Sequence, residues 1–498
     1  MIRNPVILVA LSLTAIAAPP ALAASPEIIT VDAGAPAHPF PHYWERMFGS
    51  GRAALSLRES YRQDLRALKG STGVAYVRFH GILHDELGVY DEDKGGQVLH
   101  NFSYVDSIYD GLLTAGVRPV VELSFMPNKL AREPLPHSFW YKPNISPPKS
   151  YKRWDALITA FARHLIERYG VGEIATWYFE VWNEPNLDFW GGVPRQASYW
   201  ELYDHTARAL KAVDARLRVG GPASAQAAWV PEFIRHCADN KVPVDFVSTH
   251  VYANDTPEDV FGTHDPIPRD RMVCRAVRKV HEQIGSSALP ALPLILSEFN
   301  ASFKNEPTVT DAPYMGPWLA DTIRQCDGLV DDMSYWTFSD VFEEQGVVKA
   351  PFYGGFGLIA AGGIPKPAFN AFALLHRLGE QRLDIGTDAA LLTQRADGAL
   401  VLALWNFAAP GATGADRRVV LRLRGSSART ASVVSIDPAH GDVHSAYERI
   451  GSPRYPTAAQ IAELKSAAAL PAATVRPVVD GDLTVVIAAH GLTLVTLE

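Results

Sequence analysis

Short apolar runs rich in β-branched and aromatic residues alternate with longer stretches of helical period over the first three quarters of the chain. The apolar runs predict strands at 44–48, 74–79, 117–123, 176–182, 217–221, 244–249, 292–297 and 333–338. Helical periodicity predicts helices at 57–68, 105–113, 154–168, 199–213, 271–284 and 314–326. Such alternation implies a parallel sheet with right-handed crossovers. Because there are eight strands, we predict an α/β fold in which residues 41–375 form a closed (β/α)8 TIM barrel.

The alternative is an open, doubly wound sheet of the Rossmann type. That fold requires a glycine-rich phosphate-binding turn after an early strand. Gly49-Ser50-Gly51 follows the first predicted strand but is too short for such a turn, and no acidic partner follows at the right distance. The closed barrel is therefore the preferred prediction.

From residue 376 onwards the pattern changes to short strands at close spacing. Apolar alternation predicts strands at 400–407, 418–423, 432–435 and 483–487, separated by turn signals at 396–398 and 480–482. This pattern is typical of a β-sandwich, which we assign to 376–498. A strand predicted at 28–31 precedes the barrel and needs a partner, so we expect the segment 24–40 to join the sandwich.

The first 23 residues resemble an export signal. Arg3 supplies a positive charge, an apolar stretch covers 6–18, and Ala21-Leu22-Ala23 has the small-x-small pattern of a cleavage site. A transmembrane anchor is the alternative, but the stretch is short and Pro19-Pro20 ends it. We expect cleavage of residues 1–23, export to the periplasm or the medium, and no membrane-spanning segment.

Composition and charge narrow the classes of function. The net charge is −8, and no basic cluster is present, which argues against a nucleic-acid partner. The 11 Trp, 18 Tyr and 21 Phe fill cores first, but aromatic rings also stack on sugars. Three cysteines, Cys237, Cys274 and Cys326, cannot form a disulfide framework or a C-x-x-C metal site. We expect each to be buried, and an oxidising compartment allows one disulfide between an undefined pair. The pattern gives no indication of oligomeric state.

Two glutamates stand where predicted barrel strands meet their loops, on the face that carries barrel active sites. Glu184 lies in Phe-Glu-Val-Trp-Asn-Glu-Pro-Asn at 179–186, and Glu298 lies in Ile-Leu-Ser-Glu-Phe-Asn at 295–300. A lone glutamate at a strand end is more often a solvated or salt-bridged group. An Asn-Glu-Pro turn with a second glutamate three strands later is far more specific. A pair of carboxyl groups is what cleavage of a glycosidic bond requires.

These segments resemble glycoside hydrolase family 39 of clan A, which contains β-xylosidases and α-L-iduronidases. Asn183-Glu184-Pro185 is similar to the acid/base motif of the clan, and Ser297-Glu298-Phe299 to its nucleophile strand. Further similarity lies at 78–83, 180–187, 248–252 and 335–340. The resemblance covers the predicted barrel from residue 40 to 370, and an accessory β-sandwich also fits the family.

The resemblance implies a role for each matching residue. Glu184 is expected to act as general acid and then general base, with a pKa raised by the nearby Glu298 carboxylate. Glu298 is expected to be the nucleophile of a retaining mechanism, which predicts carboxyl groups about 5–5.5 Å apart. Asn183 matches the residue that binds the sugar 2-hydroxyl, and Tyr252 matches the tyrosine that holds the nucleophile. The family mechanism needs no metal and no cofactor.

Other substrate-binding candidates follow from position on the predicted strands. His80 and Trp336 end the second and eighth strands, and we expect a hydroxyl contact and a hydrophobic floor for the sugar, respectively. His250 shares a strand face with Tyr252 and points into the mouth. Phe125 follows the third strand and is a further candidate, with a place in the core as the alternative. Of the two glutamates after the eighth strand, Glu343 is slightly preferred over Glu344.

The leading hypothesis is an exo-acting β-D-xylosidase that releases xylose from xylo-oligosaccharides. The long loops at 128–149 and 254–269 suit a closed pocket. An α-L-iduronidase or α-L-arabinosidase is the alternative within the family. A uronate substrate would require a cation in the pocket, for which Lys129, Arg132 and Lys304 are candidates. The alternative outside the enzymes is a carbohydrate-binding protein that has lost activity.

Overall fold

The computed structural model describes residues 26–498, so the predicted export signal lies outside the described residues. Eight strands close into a barrel, and each pairs with its neighbours in parallel. The strands are Met47–Gly49, Tyr76–Phe79, Arg118–Glu122, Tyr178–Glu180, Arg218–Ser224, Phe246–Tyr252, Leu294–Asn300 and Asp332–Tyr335. The predicted (β/α)8 barrel is therefore confirmed.

One principal helix follows each barrel strand. These helices are Glu59–Lys69, Ser103–Thr114, Tyr151–Tyr169, Arg195–Val213, Val230–Asn240, Arg269–Gly285, Met315–Cys326 and Pro367–Leu375. The third shows how the sequence dictates them. It begins where the Ser150 side chain accepts a hydrogen bond from the Arg153 N–H, and it ends at Gly170, whose φ is 80°. Its buried face follows the helical period through Trp154, Leu157, Ile158, Phe161 and Leu165.

The helix Val230–Asn240 was not among the predicted helices. Its apolar residues Val230, Phe233, Ile234 and Cys237 do have helical spacing and are buried. Pro231 occupies the first turn, where no backbone N–H is needed. The fifth crossover is therefore helical like the others.

Shorter elements lie in the loops. Short helices are Val171–Ile174, Pro257–Phe261 and Pro307–Thr310, and 3-10 turns are Ala53–Leu57, Asp85–Leu87 and Ala225–Ala227. Two hairpins pair Tyr90–Glu92 with Val98–His100, and Ile359–Ala360 with Ile364–Pro365. The second hairpin follows the eighth barrel strand.

The remaining strands form two sheets that enclose a second core. The strand Glu27–Asp32 pairs in parallel with Arg417–Arg424, which pairs with Asp482–Ile487. The seven-stranded sheet has the order Ala37–Pro39, Gln381–Leu383, Ala390–Gln394, Leu400–Trp405, Leu492–Leu497, Thr430–Ile436 and Thr474–Pro477. Ile29, Leu402, Leu421 and Val485 belong to the core between the sheets. Two helices, His444–Arg449 and Ala458–Ala467, interrupt this all-β pattern.

The cysteines divide into one bonded pair and one free thiol. Cys274 and Cys326 form a disulfide that joins two neighbouring barrel helices, and Cys237 is buried and free. Among residues 26–498, no helix has the length and apolar character that a bilayer span requires.

Candidate active site

Inward-facing side chains form an apolar layer under a polar layer. The apolar layer contains Met47, Tyr76, Val120, Phe246 and Ile295, contributed by five different strands. Side chains two positions apart on a strand share a face. The next inward positions on three strands are therefore Arg78, Glu122 and Glu180, all fully buried. The strand period thus places a charged layer directly beneath the barrel mouth.

Arg78 is the centre of this charged layer. Its guanidinium lies 2.5 Å from Glu180, 2.7 Å from Glu298 and 2.8 Å from Glu122. Its Nη2 also donates to Asn183 Oδ1 at 3.0 Å. Burial alone would lower the pKa of Arg78, but the three carboxylates raise it. Burial would likewise raise the pKa of Glu180, which Arg78 instead lowers. The layer therefore holds a permanent cation that orients two residues of the mouth.

Glu298 reaches the mouth through an irregularity between the sixth and seventh strands. The register shifts between Thr249 and His250, so that His250 lies opposite Glu298. Such shifts change which side chains face inwards. The carboxylate accepts hydrogen bonds from Arg78 Nη1 and from Tyr252 Oη, both at 2.7 Å. These two donors fix the orientation of the carboxyl group.

Glu184 lies in a tight turn after the fourth strand. Trp182 and Glu184 have φ angles of 71° and 42°, a left-handed backbone that non-glycine residues rarely adopt. The Glu184 N–H donates to Ala223 O at 2.8 Å, which anchors the turn to the fifth strand. Burial raises the pKa of Glu184 to about 7. The family resemblance led us to expect that the Glu298 charge would raise this pKa, whereas burial is the main cause.

Glu184 and Glu298 face each other across the mouth. One carboxylate oxygen of each lies within 4.8 Å of the other and of a ring nitrogen of His250. His250 Nδ1 is 2.9 Å from Glu184 Oε1, and burial lowers the pKa of His250 to about 4, so the imidazole is neutral at pH 7. A separation this short fits a retaining carboxyl pair of about 5–5.5 Å, not an inverting pair of about 6.5–9.5 Å.

His80 links the charged layer to a third glutamate of the mouth. Its Nδ1 is 2.6 Å from Glu122 Oε2, and its Nε2 is 3.5 Å from Glu344 Oε1. Burial alone would lower the pKa of His80, but the Glu122 carboxylate raises it to about 9. Burial raises the pKa of Glu344 to about 8. At pH 7 the mouth therefore presents an imidazolium beside a protonated carboxyl group.

Trp336 forms one wall of the mouth because Gly49 makes room for it. A Cβ atom at Gly49 would lie 2.2 Å from Trp336 Cε3. The indole packs against the His80 ring, with centroids 4.7 Å apart, and lies over the Arg78 guanidinium. The glycine noted at the end of the first strand thus serves packing, not phosphate binding.

These groups surround one cavity of about 330 Å³. Six of the nine predicted site residues line it: His80, Asn183, Glu184, Tyr252, Glu298 and Trp336. The other lining residues are Phe139, Leu187, Phe189, Ala225, Gln226, Asp255, Phe303, Glu344, Gln345 and Phe356. Its volume is at the small end of the ~300–1,000 Å³ range of ligand pockets.

Three predicted site residues lie outside the lining. His250 is fully buried beneath the two glutamates and contacts both. Phe125 is also fully buried and packs against Trp182, with centroids 5.6 Å apart. Glu343, which the sequence analysis preferred over Glu344, does not line the cavity. Glu343 is paired with Arg52 and Arg58, and its neighbour Glu344 lines the cavity.

Sequence reasoning missed several residues of the site. Arg78 and Glu180 lie in quoted motifs, and Glu122 ends the third predicted strand, yet none was proposed as functional. The sequence did indicate these residues, because charged residues within otherwise apolar barrel strands must be paired when they are buried. Residues on loops, such as Phe189 and Phe303, gave no comparable signal.

Within residues 26–498, two groups of side chains have the spacing of metal ligands. One is Glu184, His250 and Glu298, and the other is His42, Glu45 and His376. In the first group, the Arg78 guanidinium is already paired with Glu298 and would repel a metal cation. In the second, Glu45 accepts hydrogen bonds from both imidazoles, at 2.6 and 2.9 Å. Hydrogen bonding therefore accounts for both groups.

Comparison with known proteins agrees with this geometry. A β-xylosidase of Geobacillus stearothermophilus is 37% identical over 473 residues, covering 92% of this chain and 93% of the relative. The structure of a monomeric β-xylosidase from Caulobacter crescentus CB15 matches with a TM-score of 0.86 and 35% identity, covering 95% and 99% of the two chains. Human α-L-iduronidase is 26% identical over 274 residues, covering 50% and 40%. The model of glycosyl hydrolases family 39 matches residues 27–484, and the chain therefore belongs to this family.

Proposed function

We propose that this protein is a retaining β-D-xylosidase that releases xylose from the non-reducing end of xylo-oligosaccharides. The observation that carries the proposal is the pairing of Glu184 and Glu298 within 4.8 Å in differently charged environments. Glu184 keeps a proton near neutrality because burial raises its pKa to about 7. Glu298 accepts hydrogen bonds from Arg78 and Tyr252, which orient it as the nucleophile. The named activity of relatives at 35–37% identity over nearly the whole chain supports the substrate class.

In the first step, Glu298 attacks the anomeric carbon while the glycosidic C–O bond breaks. Glu184 transfers its proton to the departing oxygen, so the aglycone leaves as a neutral alcohol. Arg78 and Tyr252 hold the attacking oxygen in place throughout, which supplies the orientation that the step requires. The product is a xylosyl ester of Glu298.

In the second step, Glu184 acts as the base that takes a proton from water. Water attacks the anomeric carbon, the ester bond breaks, and xylose leaves with its original anomeric configuration. Esterification removes the negative charge of Glu298, so fewer negative charges compensate the positive charges of His80 and Arg78. Both cations lower the pKa of Glu184, and the loss of Glu298 charge strengthens their effect. Glu184 is thus ionised when it must accept a proton.

The buried part of the cavity provides partners for the hydroxyl groups of one sugar. Asn183 and His80 offer an amide and an imidazolium, and Glu344 adds a protonated carboxyl group that can donate a hydrogen bond. Trp336 supplies an apolar wall. Phe139, from the loop at 128–149, also lines the cavity, and a small pocket closed by such a loop supports exo action.

The lining of the cavity favours xylose over a uronate. None of the candidate cations Lys129, Arg132 and Lys304 lines the cavity within residues 26–498. Lys129 is bound to Asp91 at 2.5 Å, and Lys304 lies over the exposed ring of Phe303. The cation that does line the cavity, His80, is already paired with Glu122 at 2.6 Å, so a uronate carboxylate would lack a free cationic partner of the kind that such ligands need.

We also propose that the chain is exported with loss of residues 1–23. The signal-like sequence motivates this proposal, and a disulfide between Cys274 and Cys326 supports it, because such bonds persist in oxidising compartments. Mass spectrometry of protein from fractionated cells of the native host measures the mature N-terminus. Full-length protein confined to the cytoplasm would contradict the proposal.

The experiment that tests the function compares nitrophenyl β-D-xyloside, α-L-iduronide and α-L-arabinoside, with NMR detection of the first anomer released. We expect hydrolysis of the xyloside alone and release of β-xylose. Glu298→Ala and Glu184→Ala should each lose activity, and azide should rescue them differently: α-xylosyl azide from the first and β-xylosyl azide from the second. Identical azide products would refute the assigned roles. Glu343→Gln is the matched control, because Glu343 does not line the cavity.

A further inference from the structure

The cavity has two chemically different halves. Residues at strand ends form a buried, polar half around the two glutamates. The loops contribute five large apolar residues to the lining, namely Phe139, Leu187, Phe189, Phe303 and Phe356, of which all but Phe356 are at least partly exposed. We call these five residues the outer wall. Glu184 is 12% exposed and lines the cavity with both sets, so the bond it protonates lies at the boundary between the halves.

The outer wall offers few partners for hydroxyl groups. Apart from Glu344, the polar side chains that loops contribute to the lining are Gln226, Gln345 and Asp255. Gln226 already donates to Asp259 at 3.3 Å, and Asp255 accepts the Tyr252 N–H at 2.8 Å. A second xylose in this half would bury hydroxyl groups against phenyl rings, which costs free energy where no partner is present. An apolar group would bury the same surface without that cost.

We propose that the aglycone half of this cavity binds apolar aglycones, so that alkyl β-D-xylosides are a second class of substrate beside xylo-oligosaccharides. The inference rests on the proposed function, since hydrolysis of an alkyl xyloside uses the same two glutamates and yields xylose and the alcohol. Phe303 is the principal contact. Its ring is 44% exposed at the mouth, and it packs edge-on against Tyr252, with centroids 6.1 Å apart.

The test is a series of n-alkyl β-D-xylosides from methyl to hexyl. Their leaving alcohols have nearly equal acidity, so differences in kcat/KM report contacts of the chain and not chemistry. We expect kcat/KM to rise about two- to fourfold per methylene group until the chain covers the outer wall. Phe303→Ala should reduce this slope to about half or less. Tyr104→Ala removes an aromatic ring that is 50% exposed and outside the cavity, and it should leave the slope unchanged.

The outcomes separate this inference from the proposed function. Hydrolysis of all the xylosides with no dependence on chain length would overturn the inference alone. A wild-type slope that Phe303→Ala and Phe189→Ala both leave intact would overturn the assignment of the outer wall. Absence of hydrolysis of every xyloside, including the nitrophenyl derivative, would overturn the proposed function and the inference with it.

Discussion

Gly49→Ala tests whether the position of Trp336 controls catalysis. The new Cβ would lie 2.2 Å from Trp336 Cε3 and 2.9 Å from Cζ3. Carbon atoms in contact are normally ~3.5–4.0 Å apart, so the indole or the strand must move by roughly 1.5 Å. The strand is paired on both sides, to Arg78 and to Tyr335. The indole is therefore the part that moves.

A displaced indole should impair activity more than stability. Overpacking of this kind costs about 1–3 kcal/mol of unfolding free energy. A misplacement of about 1 Å near reacting groups can reduce the rate about 100-fold. We therefore expect a variant whose kcat/KM on nitrophenyl β-D-xyloside is about 100-fold lower. A thermal unfolding scan should show that this variant is still folded. Gly172→Ala is the matched control, because its Cβ would meet nothing within 4 Å.

A double-mutant cycle separates the clash from other effects of the alanine. On a Trp336→Leu background the smaller side chain leaves room for the Cβ, so Gly49→Ala should change kcat/KM less than threefold. The reasoning is refuted if Gly49→Ala alone retains more than half of the wild-type kcat/KM. Equal losses in both backgrounds would also refute it, since the strand and not the indole would then have moved.

Three further outcomes follow from the site and the disulfide. The kcat/KM should fall as the pH rises through about 7, because the free enzyme needs protonated Glu184; a pH–rate profile that stays flat to pH 9 would disagree. Glu344→Gln should lower kcat/KM with little change in melting temperature. Glu343→Gln loses two arginine partners and should lower the melting temperature more. The opposite pattern would mean that Glu343 belongs to the site and Glu344 to the scaffold. Cys274 and Cys326 are 52 residues apart in the chain. Replacing both by alanine should reduce the free energy of unfolding, measured by guanidinium titration, by about 2–4 kcal/mol. No reduction would count against the disulfide.

Strand periodicity predicted the barrel because each strand is a short apolar run between helical stretches. The predictions were least accurate where one residue has two possible meanings. Pro231 can end a helix or begin one, and only the burial of Phe233 and Ile234 distinguishes the two cases. Likewise, the predicted fourth strand ran to residue 182, but it ends at Glu180, because Trp182 leaves the extended conformation.

The positions of Glu184 and Glu298 in the cavity were predictable, because each lies where a predicted barrel strand meets its loop. It was not predictable where only folding decides which of two neighbours faces inwards. Glu343 and Glu344 are adjacent and chemically identical, and the arginines that bind Glu343 come from another part of the chain. The period-two rule could have identified Arg78, since Tyr76 lies two positions before it on the same face.

The charged layer carries a small net charge directly beneath the two glutamates of the mouth. Arg78 and His80 contribute two positive charges, and Glu122, Glu180 and Glu298 contribute three negative charges, which leaves an excess of one negative charge. Ionisation of the buried Glu184 would add a second uncompensated negative charge. A sugar that develops positive charge in an oxocarbenium-like transition state is instead stabilised by the single excess charge. Burial thus keeps Glu184 protonated, and the layer beneath the mouth favours the positive charge that forms above it.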